Sequence, residues 1–238
     1  MAAMPTREYP RPRSRRRSLI VSGILVVLTL VVGAIAADRI VAGLTEQRIA
    51  EGLKSYGDAD VTVEGFPVLT QLAAGRLDSV RVKAASAKYE NIEFSSVDAK
   101  LFDVPTDTSR PIGTVDAEAT LPLSTIDTLA KEKASLPAGM SFTTEGSRLI
   151  LTGSLLGQDV RIGIDARASG RQILVSASTI TLGSAEVDLS SLPGFLTSSI
   201  SDIVIDLEAL PAGLELTDIK PVDDGLRVSV HGTGVMLK

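Results

Sequence analysis

No residue from 18 to 37 carries a charged side chain, and Arg7, Arg11, Arg13, Arg15, Arg16 and Arg17 crowd the stretch before them. At about 1.5 Å of rise per residue, a helix of that length just crosses a hydrocarbon core of roughly 30 Å. A buried core helix is the competing reading. The unbroken run Ile24-Leu25-Val26-Val27-Leu28 behind clustered arginines argues against it. A basic flank stays on the cytoplasmic side, so the chain beyond Asp38 is expected on the other side. Three regions result: a basic cytoplasmic head at 1–17, a transmembrane anchor or signal segment at 18–37, and an extracytoplasmic domain at 38–238. Ala34-Ile35-Ala36 has the small-x-small pattern that a signal peptidase accepts, although the apolar run is longer than a usual signal-peptide core. Retention in the cytoplasmic membrane as a single-pass anchor is the reading adopted. Release into the periplasm after cleavage is the alternative.

Charge narrows the partners. Six of the 24 basic residues and one of the 29 acidic residues lie in the first 37 positions, leaving 18 against 28, a net charge of -10. A body so acidic lacks the footprint that nucleic acid requires, because binding there depends on neutralising phosphates. It also opposes charge-driven adsorption of the whole surface to anionic lipid. The chain has no cysteine, so it has no disulfide, no thiolate metal site and no lipoprotein signal. The fold must be held by its core, and roughly 200 residues suffice for one.

From Asp38 to Tyr56, Ile40, Leu44, Ile49, Leu53 and Tyr56 recur at helical intervals among polar residues, and Gly57-Asp58 ends the pattern. Beyond Gly57 the period becomes two. Val61/Val63, Val80/Val82, Ile92/Phe94, Val115 to Leu121, Leu149/Leu151, Val160 to Ile164, Ile173 to Ala177, Val187/Leu189, Ile203 to Leu207 and Val228/Val230 each keep one apolar face. Such alternation predicts antiparallel sheet with one covered and one solvated face. Gly146, Gly153, Gly157 and Gly170 are expected in turns, and Asp223-Asp224-Gly225 in a hairpin. Two segments depart from strand character. Residues 123–133 read as a helix capped by Ser124 or Thr125, and residues 195–203 are a weaker helical candidate. The class is α+β. Leu136-Pro137-Ala138-Gly139 recurs as Leu210-Pro211-Ala212-Gly213, each followed by two strands, which suggests two similar units within one domain.

Catalytic signals are sparse. His231 is the only histidine, and no nucleophile elbow, metal-binding helix motif or phosphate-cradling loop is present. No catalytic residue, metal ligand or cofactor is therefore assigned. The apolar inventory is more informative: Val, Ile, Leu and Ala dominate, with five Phe, three Tyr and no Trp. Either the sheet packs tightly on its helices, or it curls around a channel that something else fills. Lipid tails suit such a channel, since each buried methylene contributes about 0.8 kcal/mol without a polar partner.

Val63-Glu64-Gly65-Phe66-Pro67-Val68-Leu69-Thr70-Gln71-Leu72, with the following Ala74-Gly75-Arg76-Leu77-Asp78-Ser79-Val80, resembles the LmeA family of actinobacterial envelope proteins. That resemblance covers most of 38–238. It implies a lipid-binding domain similar to tubular domains of the bactericidal permeability-increasing type, a curved antiparallel sheet packed on a long helix around an apolar tunnel. It further implies a phospholipid ligand, including phosphatidylinositol types, and a place in lipoglycan biosynthesis beside envelope glycosyltransferases. By their own chemistry, Gly65 permits a sharp turn and Pro67 fixes the backbone after it. Phe66, Val68, Leu69 and Leu72 then form an apolar cluster, either plugging one end of the sheet or forming the rim of a lipid entrance. Leu192, Phe195 and Leu196 are a second rim candidate. A non-catalytic carrier or sensor is the leading function; a lipid-free scaffold for envelope enzymes and a glycolipid hydrolase are the alternatives.

With the arginines inside, protease should reach a reporter fused after Lys238 in intact spheroplasts, and the mature N terminus should lie upstream of residue 18. A protected reporter would reverse the orientation, and a chain starting near Asp38 would replace the anchor by a signal.

Overall fold

The computed structural model describes the backbone of residues 15–89, 92–133, 139–155, 157–183, 185–187, 203–207 and 210–236. The apolar run and the helix expected after it are one uninterrupted helix, α1 (Arg15–Leu53). It ends three residues before Tyr56, where a tight turn takes over: the Tyr56 and Gly57 N–H groups both donate to Leu53 O. By length and composition its part from Val27 to Leu53 could cross a membrane, as an anchor or as a signal sequence. Ala42 is buried, and Ile49, Ala50 and Leu53 pack beside Val61, Val63, Leu77 and Val80. The lower half of α1 thus covers the first two strands, while residues 27–37 keep their side chains exposed.

Beyond α1 the chain is mostly antiparallel sheet. Strands β1 (Ala59–Glu64), β2 (Arg76–Tyr89), β3 (Ile92–Pro105), β4 (Ile112–Pro122), β11 (Leu214–Val222) and β12 (Gly225–Val235) form one six-stranded sheet in the order β1-β2-β3-β4-β12-β11. A second sheet runs β10 (Ile203–Asp206), β8 (Gln172–Leu182), β7 (Gln158–Ser169), β6 (Arg148–Leu155), β5 (Ser141–Glu145), with β9 (Ala185–Val187) also paired to β8. The short helix α2 (Val68–Ala73) follows β1, and α3 (Leu123–Lys133) follows β4. Alternation produces the buried faces as expected at Val61 and Val63 and at Val160 and Ile162, whereas in β6 Ile150 is buried along with Leu149 and Leu151. Asp223-Asp224 forms the β11–β12 turn.

Some expectations need correcting. Helix α3 begins at Leu123, so Ser124 and Thr125 lie inside its first turn instead of capping it. The Asp127 carboxylate accepts the Phe142 N–H at 2.7 Å and ties the helix to β5. Residues 195–202 of the weaker helical candidate, and Leu189, lie outside the described residues, while Ile203 opens a strand. Gly153 lies within β6, not in a turn. A Cβ there would meet Met140 Cγ at 2.6 Å and Gly139 O at 3.2 Å. The same constraint recurs in the other unit, where a Cβ on Gly232 of β12 would come within 2.2 Å of Gly213 O. Gly139 and Gly213 both have left-handed φ, 89° and 92°. The repeated L-P-A-G corner therefore folds alike at its glycine, and each corner presses on a strand that must also offer glycine there. The two hairpins nevertheless belong to different sheets, β5–β6 to the second and β11–β12 to the first.

The sheets are joined at the β7–β8 turn. The Leu216 N–H donates to Gly170 O at 2.7 Å, and the Leu207 N–H donates to Arg171 O at 2.9 Å. The Arg171 guanidinium donates to four carbonyls around the second corner: Pro211 O at 2.9 Å, Leu214 O at 3.2 Å, Leu207 O at 3.4 Å, and Leu210 O. Below this clasp Leu149 of the second sheet packs with Leu216, Ile219 and Leu226 of the first, and Ile126 of α3 joins them. Removing the guanidinium leaves several half-buried carbonyls short of a donor. Arg171→Ala should lower the stability measured by urea unfolding by about 2–4 kcal/mol. Arg171→Lys should recover only part of it, because an ammonium cannot fork across four acceptors. A midpoint unchanged in both variants would show that the clasp is dispensable.

Candidate functional site

The glycine–phenylalanine–proline segment forms the corner between β1 and α2. Gly65 adopts φ 95°, and a Cβ there would meet Gln71 Nε2 at 2.6 Å. A cis peptide joins Phe66 to Pro67, and Pro67, in extended conformation, is the N-cap just before α2. Gln71, 6% exposed, locks the corner: its amide donates to Glu64 O at 3.4 Å, and its carbonyl accepts the Asp78 N–H at 2.9 Å. The turn therefore needs its glycine and its glutamine together.

This corner divides the candidate residues. Val68 is fully buried against α1, β1 and β2, and Leu72 is half-buried in the same cluster. These two side chains close the end of the core. Phe66 and Leu69 turn outward and remain 56% and 43% exposed. Of the proposed rim, only this pair is free to meet a ligand or a surface among the described residues. Leu192, Phe195 and Leu196 lie outside them.

Asp38 holds the corner from the other side. It is 2% exposed, and its Oδ1 accepts the Leu69 N–H at 2.8 Å. Eight residues further along α1, Glu46 Oε1 accepts the Val63 N–H at 2.8 Å. Sequence reasoning read Asp38 only as the end of the apolar run and the start of the next helix, and gave Glu46 no role. A carboxylate placed directly after an apolar segment was the available signal, but its partner lies 31 residues away and only the fold brings them together.

The outer face of the first sheet carries a polar network beside this corner. Glu64 accepts from Ser79 Oγ at 2.9 Å and pairs with Lys100 at 3.1 Å. Asp98 receives two bonds from Arg81, at 3.0 and 2.7 Å. The Lys100 contact first, then Ser79, holds the Glu64 carboxyl below its ordinary value of 4.5. Hydrogen bonding by Arg81 does the same for Asp98, below 3.8. Further along the sheet, His231 Nδ1 lies 2.6 Å from Asp116 Oδ1, both about half exposed. The lone histidine thus has a carboxylate beside it. No cluster of three or more potential metal ligands occurs among the described residues. An open groove beside the β5–β6 turn is lined by Glu145, Arg148, Arg161, Thr179 and Thr181, too polar a wall for an acyl chain.

The inner face of the same sheet differs. Register places Val61, Val82, Ala99, Ala117, Val230 and Leu216 in one row across all six strands. Val61, under α1, and Leu216, against the second sheet, are buried at 6% and 5% exposure. The four residues between them are only half-buried, and the central two are alanines. The row above, through Val63, Val80, Leu101, Val115 and Leu214, is buried except at Leu101.

Because the folded state holds Asp98 and Glu64 ionised below the ordinary carboxylate range, it binds fewer protons than the unfolded chain there. Their stabilisation is present above the ordinary values and is lost as pH falls through the lowered ones. The urea midpoint should fall as pH drops from about 6 towards 3, and Asp98→Asn should flatten that fall. Its cost at neutral pH should stay within about 1 kcal/mol, since the pair is partly solvated.

The family described as LmeA-like phospholipid-binding matches residues 36–231 of the chain. No curated protein and no solved structure matches it.

Proposed function

The chain belongs to the LmeA-like phospholipid-binding family, and from that premise we propose that it is a non-catalytic phospholipid carrier or sensor whose ligand lies in a trough on the inner face of the first sheet. The half-buried row Val82-Ala99-Ala117-Val230, between buried neighbours at both ends, is the observation that carries this reading. Helix α1 provides one wall and the second sheet the other. The alanines in the middle keep the floor of the proposed trough low. The floor is apolar throughout and asks no hydrogen bond of its occupant. An acyl chain burying about eight methylenes there would gain roughly 6 kcal/mol before the costs of association.

The body is placed on the extracytoplasmic side of the cytoplasmic membrane, with α1 as its anchor. The arginines before the apolar run support that orientation. Phe66 and Leu69 form one lip of the entrance, with Leu192, Phe195 and Leu196 as the candidates for another. The family resemblance supports a phosphatidylinositol-type ligand and work alongside glycosyltransferases that extend mannan on such lipids.

Filling the trough tests the reading. Ala117→Phe, purified without detergent, should take up fluorescent phospholipid about tenfold less well, a difference of roughly 1.4 kcal/mol. Its urea midpoint should correspond to less than about 1 kcal/mol of lost stability, because the ring enters open space. Forced into a packed core, the same ring would cost about 1–3 kcal/mol. Normal uptake by a folded variant, or native mass spectra of the wild type consistently free of lipid, would overturn the proposal.

A further inference from the structure

Helix α1 enters the folded body without a spacer. Val27, Leu28, Leu30, Val31, Val32 and Ile35 are 43–68% exposed and point to several sides of the helix, an arrangement suited to an apolar surrounding. Three residues after Ile35, Asp38 is already buried and bonded to the Leu69 N–H. Three residues of helix rise only about 4.5 Å. The polar zone on each side of a hydrocarbon core is itself roughly 5–8 Å deep. The start of α2 is therefore pinned at the depth where α1 leaves the hydrocarbon.

The side chains at this level have the matching chemistry. Phe66 and Leu69 stand outward from the corner, and Ile40, two residues beyond Asp38, is 65% exposed. Arg39 is exposed among them, where a guanidinium can reach headgroup phosphates.

We propose that Phe66 and Leu69 insert into the surface of the bilayer that α1 crosses, and that Asp38 is the positioning residue that sets their depth. The inference rests on α1 being retained in the membrane, but not on the trough holding lipid. The body is then seated on the leaflet instead of tethered above it. A carboxylate is apt for the task because it accepts the α2 N–H directly and fixes α2 against the anchor. The corner's glycine, glutamine and buried Val68 keep it rigid, so the two apolar side chains keep one depth relative to α1.

The chain contains no tryptophan, so a single Trp reports its own surroundings. The full chain is reconstituted in phosphatidylcholine–phosphatidylglycerol vesicles containing lipids brominated at the upper acyl carbons. Phe66→Trp and Leu69→Trp should be quenched at least about threefold more than Val204→Trp, an exposed position on the second sheet. Adding Asp38→Ala should reduce quenching at Leu69→Trp, and Asp38→Asn, which keeps an oxygen acceptor, should restore it. Circular dichroism and the urea midpoint of each variant exclude unfolding as the cause. Quenching at Phe66→Trp and Leu69→Trp no greater than at Val204→Trp would overturn the docking. So would loss of quenching on adding Ala117→Phe, which would mean that the bromine reached the probe from the trough. Persistent quenching in that background, whether or not lipid uptake survives, establishes docking independently of the carrier reading.

Discussion

Ala42, Ile49, Ala50 and Leu53 bury one side of α1 on Val61, Val63 and Val80, and this contact decides where the remaining features stand. It aligns the helix with the edge of the first sheet and closes one side of the inner face. It also carries Asp38 to the start of α2, where the carboxylate fixes the corner that exposes Phe66 and Leu69. Without that packing the apolar half of α1 and the body would be separate objects joined by a hinge. With it, whatever holds the helix also fixes the orientation of the sheet.

At the far side the β7–β8 turn plays the corresponding role. Arg171 collects four carbonyls from the chain entering β11, and the Gly170–Leu216 bridge brings the second sheet against the first. Leu216 is buried there much as Val61 is buried under α1. Between these two buried margins stand the half-buried alanines at 99 and 117. A sheet packed only for stability gains by placing Val, Ile or Leu at such positions, at about 0.8 kcal/mol per added methylene. Small side chains in the middle of an otherwise apolar row fit the proposed occupant better than they fit a dry core.

The scarcity of aromatic residues acquires a local meaning. Two of the five phenylalanines illustrate it: Phe142 packs in the core between the sheets, while Phe66 projects outward from the corner. Composition alone admitted both a tight core and an open channel and favoured the tight core. The register of the strands adds that the alanines fall in one row with larger residues at its ends.

Local pattern was enough to read α1, α3, most of the strands and the Asp223-Asp224 turn. Each depends on residues within a few positions of one another, on apolar spacing of 3.6 or 2 or on turn chemistry. The corner after β1 was legible for the same reason, since glycine and proline restrict their own dihedrals. The division of its apolar residues was not: Val68 and Leu69 are adjacent, yet one is fully buried and the other faces out. That outcome depends on α2 lying against α1. Gly153 was misread because a glycine within a strand looks like a turn until the opposing corner presses on it. Asp38, Gln71 and Arg171 were passed over because the groups they bond, some of them 31 or 40 residues distant, have no fixed relation to them along the sequence. The sequence by itself determined the apolar helix, the strand periodicity and the acidic, cysteine-free body, all of which follow from side-chain chemistry and short-range geometry. Only the tertiary structure decided which apolar residues are core, trough or surface, because burial depends on neighbours that the folded chain brings together from far apart.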